Sequence, residues 1–218
     1  MTNHRLQFYG CAAFALLVLL PFVSRSQTAP NPSFRVTVLA QSPAETKTDL
    51  QIFCLFQSNP QNQLHGSLSE IDEKLHGVLA QLRSPKSFGG ELGETLLLTP
   101  PPGTIAAKRL LIIGLGDTAS FTSERMYLVG KIALREADRL GVAHPYFAPT
   151  VLDGGVTGFP TGAVAYQVVR GFRDAMATET ALNRSGASAT PSVVDFTYLA
   201  GAAHTADTQE GINRAAEK

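Results

Sequence analysis

The sequence predicts an α/β fold, a mixed but mostly parallel sheet with helices on both faces. Two observations predict it. Short apolar segments of strand length alternate with longer segments whose apolar residues recur at helical spacing, in the order ββαββαβαβα. Some of the strand segments, such as residues 50–56, are apolar almost throughout, which marks strands covered on both faces. No internal repeat at periods of 20–50 residues points to a solenoid or propeller instead.

The first segment reads as an export signal. Residues 1–10 are mostly polar and carry His4 and Arg5. An apolar run, CAAFALLVLLPFV, fills residues 11–23, and Ser24, Arg25 and Ser26 follow. A basic start, about a dozen apolar residues and a small-residue site make a secretory signal peptide. The run is shorter than the roughly 20 residues that a membrane span needs. We therefore expect a signal peptide over residues 1–26, cut near Ser26 and Gln27. Membrane contact would come only through that segment if it stayed uncleaved. The expected location is secreted or periplasmic. Cys11 precedes the apolar core, so it does not suit a lipoprotein site.

Residues 27–33, QTAPNPS, are polar and proline-containing and read as a disordered lead-in. Residues 34–218 would form one domain, of a size to hold a real core. The whole chain has 18 basic and 18 acidic residues. With Arg5 and Arg25 removed, 16 basic residues face 18 acidic ones. A near-neutral chain without like-charge blocks offers no field for nucleic acid or an anionic membrane. Of the two cysteines only Cys54 would survive processing, which excludes an internal disulfide. It lies in the apolar run LQIFCLF and reads as a buried structural thiol.

Residues 34–40 alternate apolar and polar and predict a strand with one buried face. Residues 41–48 are a loop, and residues 50–56 the covered strand. Ser67 and Glu70 form an S-x-x-E capping box, and Leu68, Ile71, Leu75, Val78, Leu79 and Leu82 follow on one helical stripe. The stripe predicts one helix that tolerates Gly77 and closes at Pro85. A glycine-rich turn over residues 88–94 leads to a short strand at 95–99, and Pro100, Pro101, Pro102 and Gly103 break the chain. Residues 109–113 are a buried strand running into Gly114, Leu115 and Gly116. A second helix covers about residues 123–140 and ends at Gly141. The next strand falls at residues 146–148 or 149–152. Helix three covers residues 161–182, a last strand 193–199, and a last helix 205–218.

Catalytic groups do not assemble in the sequence. His65, His76, His144 and His204 are isolated, with no H-E-x-x-H and no paired cysteines, so no metal site or metal cofactor is expected. No G-x-S-x-G elbow occurs. Asp72 with Glu73 lies on a solvated helix face, and Glu91 with Glu94 in the glycine-rich turn. The best binding candidate is Gly114 with Gly116, between a buried strand and a helix. There glycines let backbone N–H groups approach a phosphate. Ala119 stands where G-x-G-x-x-G needs its third glycine, so the competing reading is a structural turn. Gly89 and Gly90 have the same standing. Asn183, Arg184 and Ser185 fit a glycosylation sequon.

Three pieces together resemble a known family: FGGELGET at residues 88–95, KRLLIIGLG at 108–116, and a helix opening S-E-R at Ser123. In this order they are similar to the amino-terminal domain of the leucyl aminopeptidase family of metallopeptidases. The resemblance implies a three-layer α/β/α fold, similar to macro domains, across nearly all of the chain after residue 33. It also implies a role beside the chemistry, because that family's two metal ions and its catalytic lysine and arginine belong to a carboxyl-terminal domain. The signature of that domain, N-T-D-A-E-G-R-L, does not occur in this sequence. No catalytic or metal residue carries over, and the export signal departs from a usually intracellular family.

Three functions follow as expectations. The first is an exported, non-catalytic accessory or interaction domain, pairing with itself or with a separate aminopeptidase catalytic chain. The second is a macro-type binder of a nucleotide or an ADP-ribose-like ligand near Gly89 and Gly90 or Gly114 and Gly116. The third is a peptidase half whose catalytic part is on another chain.

Overall fold

Strands that are apolar on both faces need cover on both faces, and the fold supplies it in three layers. The computed structural model describes residues 34–58, 63–83 and 87–217. The expected signal peptide over residues 1–26, the expected lead-in over 27–33 and Pro85 lie outside the described residues. The strands are β1 (Arg35–Ala40), β2 (Gln51–Leu55), β3 (Thr95–Leu98), β4 (Leu110–Gly114), β5 (Tyr146–Ala148) and β6 (Asp195–Ala200). The helices are α1 (Gly66–Lys74), α2 (Val78–Leu82), α3 (Arg125–Arg139), α4 (Thr161–Arg184) and α5 (Thr205–Ala216). The six strands form one sheet in the order β1-β6-β5-β2-β4-β3. All neighbours are parallel except β3, which runs antiparallel on β4. The α/β reading, the helical layers on both faces and the mostly parallel sheet are therefore as the sequence predicts.

All five residues of β2 and all five of β4 are buried. Helices α3, α4 and α5 cover one face, where Phe147, Phe172, Phe196 and Tyr198 pack with Val129 and Val168. The rings of Phe172 and Phe196 stack at 4.1 Å between centroids, and Phe147 meets Phe172 edge-on at 5.6 Å. Helices α1 and α2 cover the other face through Leu68, Ile71 and Leu79 against Phe53 and Phe88. Burying one such side chain stabilises the fold by about 1.5–3 kcal/mol. The helices of the first layer approach through glycine. A Cβ on Gly130 would collide with the Val168 carbonyl oxygen, and one on Gly171 with the Tyr127 carbonyl.

Several local expectations are corrected. The single helix over residues 67–82 is two helices. His76 and Gly77 both take positive φ, 57° and 83°, and break the ladder. Asp72 is not simply solvated. Its carboxylate accepts the Leu79 and Ala80 N–H groups at 2.7 and 3.1 Å and caps the start of α2. The capping box does not form either. His65 is the N-cap of α1, so Ser67 already lies within the helix and its hydroxyl donates to Asp153. The ambiguous fifth strand is Tyr146–Ala148. It cannot extend because Pro149 follows and Thr150 turns back at φ 46°. The Thr150 hydroxyl then donates to the Cys54 carbonyl at 2.6 Å and accepts the Cys54 N–H at 3.0 Å. That clasp fixes the loop after β5 to the central strand.

Candidate functional site

The four glycines singled out by the sequence come together at one junction, and they do so by packing on each other. Gly116 N–H donates to the Gly90 carbonyl at 2.8 Å, and Gly93 N–H to the Gly114 carbonyl at 3.0 Å. A Cβ on Gly114 would overlap the Glu91 carbonyl oxygen and lie 2.7 Å from the Gly90 carbonyl carbon. A Cβ on Gly90 would lie 2.9 Å from the Gln57 nitrogen. Gly90 and Gly116 also take φ of 73° and 77°, where glycine alone is unstrained. The Glu94 carboxylate accepts the Gly89 and Glu91 N–H groups at 3.3 and 3.1 Å, so it shapes this turn from within. The glycines thus let two chain segments approach backbone to backbone at the end of β4.

A cleft lies apart from this junction. It has a volume of about 470 Å³ and sits beyond the carboxyl ends of β1, β6 and β5. None of Gly89, Gly90, Gly114 or Gly116 lines it. The carboxyl ends of neighbouring parallel strands leave such a crevice because the chain departs there into loops and helices. The walls come from the loops after β1 (Ser42, Pro43), β5 (Val151, Asp153, Phe159) and β6 (Gly201, His204), and from α1 (Ser67, Glu70). Val164 and Tyr198 complete the apolar side. Among the described residues, Glu70 and Asp153 are its carboxylates, His204 is its one titratable base, and no lysine or arginine lines it.

Helix amino termini would normally make such a crevice receptive to anions. Here the chain's own carboxylates are already there. Asp153 accepts the hydroxyl and the backbone N–H of Ser67 at the start of α1. Asp207 accepts the Gly162 N–H at 2.7 Å and the Thr161 hydroxyl at 2.8 Å at the start of α4. These bonds, the Gly162 N–H foremost, hold the Asp207 carboxyl below the usual aspartate range. Burial does the reverse at Asp153 and pushes its carboxyl up, more than the Ser67 bonds pull it down, and the nearby Glu70 charge adds to the rise. Glu70 accepts the Ser42 hydroxyl at 2.5 Å. The phenol oxygen of Tyr198 is buried without a hydrogen-bond partner.

The remaining sequence candidates take ordinary places. Cys54 is fully buried, and burial pushes its thiol up. His76 is exposed, and His144 Nδ1 lies 2.9 Å from Asp195. Asn183 donates its amide to the Ser188 carbonyl at 3.1 Å. Among the described residues, no group of three or more His, Cys, Asp or Glu could hold a metal ion. None of their helices is long and apolar enough to cross a membrane. The cleft residues carry no motif, so sequence reasoning missed them. The rule that ligands sit beyond strand carboxyl ends pointed to β4, and the cleft lies at the corresponding ends of β1, β5 and β6.

Layering, strand order and a crevice at the carboxyl ends define the class as a three-layer α/β/α domain of macro-like type. Solved structures agree. The Oceanobacillus iheyensis macrodomain with ADP superposes with a TM-score of 0.62 at 11% identity, covering 87% of this chain and 95% of that one. A tomato leucine aminopeptidase variant gives 0.60 at 16% identity, covering 86% of this chain and 37% of that one. Residues 52–175 match the family model described as cytosol aminopeptidase family, N-terminal domain, and the chain belongs to that family. A probable cytosol aminopeptidase of Roseiflexus castenholzii is 33% identical over 118 residues, which are 54% of this chain and 21% of that protein. One of Syntrophotalea carbinolica is 42% identical over 83 residues, 38% of this chain and 16% of that protein. The chain therefore spans only a minor part of the length of these relatives.

Proposed function

We infer that this chain is an exported, non-catalytic accessory domain of the cytosol aminopeptidase type. It acts by association, with itself or with a separate aminopeptidase catalytic chain. The observation that carries this reading is the family match, which falls on the amino-terminal domain of the relatives. The set of titratable groups supports it. The carboxylates at the cleft are engaged with Ser42 and Ser67, and the one cysteine among the described residues is buried. The amino-terminal pattern supports export. Light scattering of the full chain, alone and mixed with a cytosol aminopeptidase catalytic domain, tests the association. A dimer or a mixed complex is the expected result, and a monomer with no partner refutes it. Leucine-p-nitroanilide with added manganese tests the lack of catalysis, and hydrolysis lost on chelation would overturn that half. Amino-terminal sequencing of the exported product should begin at Gln27.

A second reading is a macro-type binder of a nucleotide or ADP-ribose-like ligand. It is favoured by the cleft, in a fold shared with a macrodomain solved with ADP. The lack of lysine and arginine among the described residues of its walls weighs against a diphosphate there. At the glycine junction, the carbonyls of Gly90 and Gly114 and the N–H of Gly116 are already paired. Calorimetric titration with ADP-ribose at millimolar concentration decides it, and absence of heat ends this reading.

A further inference from the structure

We propose that the cleft beyond β1, β5 and β6 is a binding site for a small organic cation, an ammonium group carried on an apolar body. The cavity, at about 470 Å³, is within the size range of small-molecule sites. Its polar end is acidic. Glu70 and Asp153 stand on the wall close enough for the Glu70 charge to act on Asp153. Each accepts one serine hydroxyl, from Ser42 and Ser67, and an ionised carboxylate can accept about four hydrogen bonds, so both keep free acceptor sites. An ammonium has three donors and no acceptor, the complement of this pair. A phosphate would find two carboxylates, no lysine or arginine among the described residues of the wall, and the first turns of α1 and α4 filled by Asp153 and Asp207.

The other end of the cleft is apolar, with Val151, Phe159 and Val164 on its wall. Tyr198 is a separate observation. It lines the same cleft, it is 1% exposed, and its phenol oxygen has no partner. Leaving a buried hydroxyl unpaired is costly, and the fold tolerates it beside a cavity where a guest can supply the missing bond.

The test is calorimetric titration of the full chain with three probes: 2-phenylethylammonium, its neutral counterpart 2-phenylethanol, and ADP-ribose. The ammonium probe should bind at millimolar concentration or better and about tenfold more tightly than the alcohol, the usual margin of one charge-assisted hydrogen bond. Glu70→Gln should remove most of that margin with the melting temperature unchanged, because Glu70 is exposed. Tyr198→Phe should weaken binding while leaving the free protein as stable or more so. Equal affinity for the amine and the alcohol overturns the proposal, as does full binding by Glu70→Gln, heat from ADP-ribose alone, or no heat from any probe. The proposal is independent of the accessory role: a monomeric protein that binds the amine would sink only the latter.

Discussion

Replacing Gly114 by alanine separates the two readings of the glycine junction. Gly114 does not take a positive φ, so the substitution adds no backbone strain of its own. The added methyl would overlap the Glu91 carbonyl oxygen and lie 2.7 and 2.9 Å from the carbonyl carbon and oxygen of Gly90. These are backbone atoms, tied by the Gly116 to Gly90 and Gly93 to Gly114 hydrogen bonds, and they cannot swing aside as a side-chain tip would. Overpacking costs typically 1–3 kcal/mol, and a rigid backbone neighbour puts this site at about 3 kcal/mol. A domain of this size loses about 2–4 °C of melting temperature per kcal/mol, so Gly114→Ala should melt roughly 6–12 °C below the parent. Gly158→Ala is the control, since a Cβ there meets nothing within 4 Å. It should be neutral or stabilising by about 0.4–1 kcal/mol through the unfolded chain. Thermal unfolding followed by circular dichroism reads both. If Gly114→Ala melts within 1 °C of the parent, the packing account of this junction is wrong.

Phe172 meets Phe34, Phe147 and Phe196 at the centre of the larger core. Phe172→Ala should cost about 3–5 kcal/mol, and urea unfolding with an unchanged midpoint would contradict that. Burial holds the folded pKa of Asp153 above the ordinary aspartate value of about 3.9. Its contribution to stability is then full below that value and lost as pH rises through the folded pKa. The Asp153→Asn variant lacks this loss, so its melting temperature relative to the parent should rise from pH 4 toward pH 7. A difference that stays constant across that range argues against the assignment. Cys54 should resist thiol labelling in the native protein and react once unfolded, as read by mass spectrometry at that residue. Rapid native labelling would show the strand to be open.

The period of the apolar residues was enough to place the three long helices and every strand except β5, which it left between residues 146–148 and 149–152. β2 and β4 are buried throughout and, Gln51 apart, apolar, because both their faces are covered, and that pattern is local. The family resemblance was legible too, since it rests on short segments in a fixed order. Helix α1–α2 was misread because the apolar stripe runs on through a break made by two positive-φ residues and the Asp72 carboxylate. Ser67 looked like a cap because its true partner, Asp153, lies 86 residues away in sequence.

The junction of Gly90 and Gly114 shows the same division. The sequence by itself determined that glycines stand at two strand-to-turn sites. Only the tertiary structure decided that they face each other, so that the Gly116 N–H bonds the Gly90 carbonyl and the Gly93 N–H the Gly114 carbonyl across the junction. The cleft depended wholly on strand order. β1, β6 and β5 are neighbours in the sheet but far apart along the chain, and nothing local encodes that adjacency. Local patterning reflects which face of an element is buried. Where loops converge, and which charges they bring together, is fixed by contacts across the fold.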